Sequence, residues 1–283
     1  MSAPSLTTAP AGPFTVRLRL PWRRLRPVLL PLLFIAGCLA AWQVVANLNP
    51  QSRAVLSAPS DVIGVLNKNL PLLLPHLAAT ARETVAGFAL AAIVGMVLGA
   101  ALAQWRRVQQ ALLPHLVLFQ IVPKIALAPL FIIWFGVGPE SRLLFALFLA
   151  FFAIASATTA GLSATRPDAL RLCASLTASP WQTFFAVRLP FAIPSIFAGL
   201  KMGMTMALIG DIVGEFVSGQ EGLGYVVMFA AAGADAALTF AALTLLCALG
   251  LTVYGVVVLA EMAAERWYGA PFVSEGFHNR KDK

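Results

Sequence analysis

The stretch ASLTASPWQTFFAVRLP, residues 174–190, decides how the chain is read. It holds a turn, a tryptophan, two phenylalanines and an arginine, and ends in Leu189-Pro190, while the chain around it is largely apolar. The helix signals start just before it. Pro167 suits a first helical position, and Asp168 sits in the first turn, where the helix dipole favours a negative charge. Ala169, Leu172, Cys173 and Leu176 recur at the spacing of one helical face, with Asp168, Arg171 and Ser175 opposite. The pattern predicts a short amphipathic helix that stops near Thr177-Ala178. A second start follows, with Ser179 as N-cap, Pro180 at N1 and Gln182 at N3 closing a capping box. Trp181, Phe184 and Phe185 then share a face. Pro190 is expected to end that helix, because it lacks a donor and restricts Leu189. Both helices fall far below the ~20 residues that span a bilayer. Two readings stand: an amphipathic element resting on the bilayer surface, or a docking element for a partner.

The surroundings set the class. Of 283 residues, 59% are hydrophobic and 11% charged, against about 25% charged in soluble domains. The expected fold is an all-α polytopic membrane protein. Six stretches are candidate spans: 28–48, about 84–104, about 111–135, about 142–163, about 193–216 and about 237–262. The third is interrupted by VPKIALAP. Gly and Ala are dense in the second, fourth and fifth, which predicts close helix packing in a bundle.

Lys and Arg set the orientation. With the N-terminus inside, the cytoplasmic segments hold Arg17, Arg19, Arg23, Arg24, Arg26, Arg106, Arg107, Arg166, Arg171, Arg188, Arg266, Arg280, Lys281 and Lys283. The outer segments hold only Arg53, Lys68, Arg82 and Arg142. Fourteen against four gives N-in, C-in. Residues 1–27 form a cytoplasmic tail, and 28–48 an uncleaved first span too long for a signal peptide. Residues 49–79 are expected outside, as surface helices that begin near Asp61 with Ser60 as cap and are punctuated by Pro71 and Pro75. Residues 80–264 form the main transmembrane domain, with the inside loop at 164–192. The tail 265–283 is polar and expected to be disordered. The +8 net charge sits at the ends of apolar runs rather than on one basic face, so no nucleic-acid partner is expected.

Several residues stand out within the spans. Lys124 lies inside the third, where a charge costs about 2.5–3.5 kcal/mol on the insertion scale. It either lines a pathway for an anionic solute, or snorkels or pairs with a carboxylate. Pro123 and Pro129 break the helical ladder beside it, which is tolerated at membrane depth where carbonyls line a cavity. Asp211 and Glu215 share a face of the fifth span, toward its outer end. They serve either as a pathway gate, or as interfacial anchors or partners for Lys124. Gly222 and Gly224 are expected to permit a turn with positive φ. Cys38, Cys173 and Cys247 lack any CxxC spacing and read as small apolar fillers, with no disulfide or zinc site. His76, His115 and His278 are isolated, so no metal site and no catalytic set is expected. No Gly-x-x-x-x-Gly-Lys-Ser/Thr phosphate loop occurs, so ATP is not bound by that device.

The segment ASPWQTFFAVRLPFAIPSIFAGLKMG resembles the loop-and-span signature of type I ATP-binding-cassette importer permeases, often called the EAA loop. VPKIALAPLFIIWFGVGPESR (122–142), VGEFVSGQEGLGYVV (213–227) and LSAPSDV are similar to the nitrate/sulfonate/taurine group of that family, and the likeness covers about residues 50–265. Val187, Leu189 and Pro190 match the tail of the motif. Its head departs: Arg171, Leu172 and Cys173 stand where the family prefers Glu-Ala-Ala, and Thr177 stands where it prefers Gly.

The resemblance implies a type I importer transmembrane fold in the bacterial inner membrane. It implies two copies forming the pathway, separate cytoplasmic ATPase subunits that bind the ATP, and an extracytoplasmic substrate-binding protein. This chain would carry no cofactor and no enzymatic activity. The inside loop would be the coupling helix, with Arg171, Ala174, Ser175, Leu176, Ala178, Ser179 and Trp181 as the contact region. With Arg171 in place of Glu, the facing surface is acidic or the loop is held by packing. Phe184 and Phe185 would anchor the loop to the bundle. Sulfonates, taurine or nitrate are the first substrate expectation; pyrimidine or flavin precursors are the second. A stand-alone secondary transporter is a distant rival, because no internal repeat is evident. An integral membrane enzyme lacks its constellation of reactive side chains.

Overall fold

A computed structural model describes residues 22–48 and 56–268. Arg17, Arg19, Arg53 and the expected tail over 269–283 lie outside them. The described residues are almost wholly helical. The helices are α1 (Trp22–Leu48), α2 (Pro59–Gln104), α3 (Arg106–Ile121), α4 (Ala128–Phe135), α5 (Pro139–Ser163), α6 (Pro167–Ser175), α7 (Pro180–Thr183), α8 (Leu189–Ser218), α9 (Leu223–Ala232) and α10 (Ala236–Tyr268). A 3₁₀ turn, Lys124–Leu127, precedes α4, and a π turn, Phe184–Arg188, joins α7 to α8. Five helical stretches among the described residues are long and apolar enough to cross a membrane. The chain is therefore an all-α, multi-pass membrane protein.

α5 runs through the middle, packed along α2 on one side and α8 on the other. Ala91, Ala146, Ala150, Ile154 and Ala207 form the seam between them. Small side chains are what let these backbones approach, since apolar lipid gives no hydrophobic drive for helices to associate. At Gly99 a Cβ would lie 2.6 Å from the Thr158 Cβ, and at Gly203 one would lie 2.5 Å from the Ile154 Cγ1. α1 is peripheral and largely exposed. It is tied on by Trp42 against Phe240, with ring centroids 5.3 Å apart, and by Gln43, which exchanges hydrogen bonds of 3.1 Å with Ser60.

Three expectations are corrected by the geometry. Residues 59–79 do not form separate surface helices: α2 is one helix of 46 residues that passes through Pro71 and Pro75. Each proline removes one backbone donor, yet both fall near the outer end, where water or headgroups can serve the freed carbonyls. Its N-cap is Ala58 with Pro59 following, so Ser60 lies inside the helix rather than capping it. The third candidate span is broken at Val122-Pro123, within the VPKIALAP stretch expected to interrupt it, but its pieces, α3, the 3₁₀ turn and α4, are each too short to cross a membrane. Pro129 there opens α4, a position that needs no N–H. Pro190 does not end a helix either. The Leu189 N–H reaches back to the Phe184 carbonyl in the π turn, and the chain runs helically from Pro180 to Ser218. The wider π turn takes up the register at the residue just before the missing proline donor. The outer bounds also shift, since α1 begins at Trp22 and α10 continues to Tyr268.

Candidate functional site

The inside loop is built as its local signals predict. The Ser179 Oγ accepts the Gln182 N–H at 3.2 Å, and the Gln182 Oε1 accepts the Ser179 N–H at 2.8 Å, closing the capping box. α6 ends in a Schellman turn, in which the Ala178 N–H bonds the Cys173 carbonyl at 3.0 Å and the Thr177 N–H bonds the Ala174 carbonyl at 3.1 Å. That turn puts Thr177 at φ 52°, in the left-handed region. A β-branched residue there meets a steric penalty that glycine avoids. Thr177→Gly is therefore expected to tighten the turn by about 1 kcal/mol. Slower hydrogen exchange at the Thr177 and Ala178 positions relative to wild type would show it, and faster exchange would refute it.

The outer surface of this loop is apolar. Leu172, Leu176 and Trp181 are 61%, 69% and 74% exposed. Arg171, Ala174, Ser175 and Ser179 are exposed beside them, and Ala178 is half-buried. Trp181 stacks on Phe185 at 5.9 Å with planes 16° apart, which leaves Phe185 outward. Only Phe184 joins the bundle, against the cluster of Leu162, Ala192 and Ile196. Leu189 and Pro190 are half-buried where the loop enters α8. The Arg188 guanidinium donates to Gln104 at 3.1 Å, fastening the loop to the inner end of α2. Arg171 faces Asp168 at 4.0 Å on the exposed surface.

At the opposite end of α8 lies a buried charge cluster. The Arg142 guanidinium grips Glu83 with two bonds, 2.6 and 2.7 Å, and donates to Ser218 at 3.3 Å and Glu221 at 3.1 Å. Arg142 and Glu83 are each 2% exposed, and Asp211 and Glu215 are fully buried. Glu215 accepts from the Thr80 hydroxyl and from the Gly224 N–H, both at 2.6 Å. The same Thr80 oxygen accepts the Leu223 N–H at 2.8 Å. Asp211 accepts from the Thr84 hydroxyl at 2.6 Å through Oδ2. The loop before α9 is moulded around Glu215. Gly222 has φ 99°, and a Cβ on it would fall into the Glu215 carboxylate. Gly224 lies inside α9 with no positive φ, and its role is the close approach alone.

Asp211 and Glu215 thus share a face as expected, but the face turns into the helix bundle, toward α2. Neither pairs with Lys124. The Lys124 ammonium stands 5.4 Å above the Phe152 ring, and among the described residues no carboxylate pairs with it. Pro123 and Pro129 flank it on exposed backbone. Around it Phe152 meets Phe119, Phe148 and Phe151.

Three charged partners are not apparent in the sequence. Glu83 falls one residue outside the second candidate span. Arg142 counts there as a loop charge. Lys201 pairs with Glu261 at 2.9 Å between α8 and α10. The signal that could reveal Glu83 is the polar stripe Thr80, Glu83, Thr84 and Gly87 at helical spacing in an otherwise apolar helix. The three cysteines are free. The His76 Nδ1 accepts the Gly222 N–H at 3.2 Å and takes part in no metal cluster among the described residues. Glu83, Asp211 and Glu215, by contrast, bring carboxylate oxygens within 4.8 Å of one another, a grouping the sequence spacing does not anticipate.

Comparison with known proteins agrees with this architecture. The chain is 34% identical over 227 residues to a probable ABC transporter permease protein of Haemophilus influenzae, covering 80% of this chain and 93% of that one. It is 35% identical over 243 residues to the riboflavin transport system permease protein RibX of Chloroflexus aurantiacus, covering 85% and 89%. It is 32% identical over 225 residues to the taurine transport system permease protein TauC of Escherichia coli, covering 76% and 80%. With residues 91–264 matching the family as a whole, the chain belongs to the binding-protein-dependent transport system inner membrane components, the permease subunits of ABC importers.

Proposed function

We propose that this inner-membrane permease subunit passes a small polar or anionic solute inward, as one half of a homodimeric pathway driven by ATP hydrolysis on separate cytoplasmic subunits. The observation that carries the reading is the inside loop. It presents an exposed apolar surface and is continuous with α8 through 39 helical residues, so a push on Trp181 is delivered to the far end of the bundle. Arg171, Ala174, Ser175, Leu176, Ala178, Ser179 and Trp181 are the proposed contact region, ending at Leu189 and Pro190. This chain binds no cofactor in the proposal.

Lys124, which no carboxylate among the described residues neutralises, stands beside Pro123 and Pro129. It is the proposed pathway contact and supports a solute that carries an anionic group, such as a sulfonate, taurine or nitrate. Asp211 and Glu215, being buried, act on the pathway through the packing of α8. A pyrimidine or flavin precursor is the second reading. It is favoured by the phenylalanine rings around Lys124, which suit a planar solute, and by the likeness to a riboflavin permease.

Co-expression with its cognate ATP-binding subunit is expected to give a complex that survives detergent purification. A permease that purifies alone under all conditions would favour the self-sufficient secondary transporter. For the substrate, its cognate substrate-binding protein is expected to gain several degrees of Tm with one solute class, sulfonates or flavin-like heterocycles.

A further inference from the structure

With its acids ionised, the buried cluster would carry more negative charge than its one guanidinium neutralises. Glu83 and Arg142 compensate one another through two hydrogen bonds. Glu221, the remaining acid on Arg142, is half exposed. Asp211 and Glu215 are left, fully buried, one helical turn apart, with hydroxyl and amide donors but no cation of their own among the described residues. A buried carboxylate is paired, bound to metal or neutralised by a proton.

A second observation is independent of the charge count. The Asp211 Oδ1 is buried and has no hydrogen-bond partner. A proton placed there would donate to nothing. A cation would use that oxygen directly. Oxygens of Glu83, Asp211 and Glu215 lie within 4.8 Å of one another, a spread that one ion with ~2.4 Å oxygen bonds can bridge. Glu83 also borders an open hollow of about 410 Å³ between α2 and α5, beside Arg82 and Glu140.

We propose that Asp211 and Glu215, with Glu83 as third ligand, bind one divalent hard cation of the calcium class from the outer side. Two uncompensated carboxylates match a charge of two. Carboxylates from two helices in a tight interior favour calcium, which tolerates irregular oxygen geometry, over magnesium, which keeps its waters. The ion competes with Arg142 for Glu83 and clamps the turn at Gly222–Gly224, because Glu215 holds that backbone. Its binding therefore stiffens the junction of α2, α8 and α9.

The test is calcium binding by the purified full-length chain after treatment with a chelator. Equilibrium dialysis with ⁴⁵Ca²⁺ is expected to give one saturable site, and calcium at about 100-fold above its Kd is expected to raise Tm by several degrees. Asp211→Asn should abolish both effects, while Asp61→Asn, an exposed acid outside the cluster, should keep them. Absence of ⁴⁵Ca²⁺ binding by wild type overturns the proposal, whether or not the variant folds. So does a Tm that follows pH but no cation, which would assign the missing charge to a proton. A response to sodium or magnesium equal to that of calcium would overturn the choice of ion.

Discussion

Arg142→Met is expected to cost about 3–5 kcal/mol, the cost of breaking a buried ion pair by removing one partner. The reason lies in what remains. Glu83 is 2% exposed and takes both of its strong bonds from this guanidinium. With methionine there, an ionised carboxylate stays inside the bundle next to Asp211 and Glu215, the arrangement most opposed by desolvation and like charge. Ser218 and Glu221 lose their partner too, so the end of α8 loosens together with α2. Arg142→Lys should fall between the two, since one ammonium cannot reproduce the paired fork. The informative variant is the double one. Glu83→Leu with Arg142→Met removes both charges, and apolar replacement of a buried pair is often close to neutral. Thermal unfolding in detergent should therefore rank wild type near the double variant and well above Arg142→Met. A single variant as stable as wild type would mean that the pair is not closed as described.

The inside loop is legible in the sequence because its determinants are local. The Ser179–Gln182 box spans four residues, and the end of α6 at Thr177 is a single turn. Prolines are where sequence and fold part company, because proline does not always act as a stop. Pro190 is absorbed by a π turn, while Pro71 and Pro75 sit where water or headgroups can substitute for helical donors. A residue rule cannot see that exchange, because it depends on what surrounds the helix. The charge cluster is hidden for a different reason. Glu83 and Arg142 are 59 positions apart, and Arg142 and Ser218 are 76 apart. Each charged residue stands near the end of an apolar run, where hydropathy reads it as a loop residue. Only the packing of α5 between α2 and α8 turns these ends into one interior. The spacing of Asp211 and Glu215 makes them a pair, but it does not carry the direction they face.

The same contrast between exposed and buried positions sets the largest functional effect. Leu176→Glu combined with Ala174→Glu is expected to abolish association with the ATP-binding subunit and, with it, ATP-driven uptake. Both side chains are exposed, so folding should be nearly unaffected and the chain should accumulate in the membrane with an unchanged Tm. A docked residue at the centre of a contact costs about 2 kcal/mol or more when it is a hot spot, roughly 30-fold in Kd. Two new carboxylates add desolvation without a partner, which raises the loss further. Trp181→Ala should weaken association by a similar factor through lost contact alone, since its exposed ring stacks on the exposed Phe185. Phe184→Glu is the contrasting case: it enters the cluster of Leu162, Ala192 and Ile196 and should destabilise the chain itself. The experiment also separates the two readings open to an amphipathic loop. If the loop merely rested on the bilayer, acidic residues at 174 and 176 would lift it from the membrane surface and leave subunit association intact. Full association and uptake in that variant would remove the loop from the coupling path. Loss of both at wild-type stability would place the subunit contact at Ala174 and Leu176, and loss of association in Trp181→Ala would extend it to the start of the helical stretch that runs through α8.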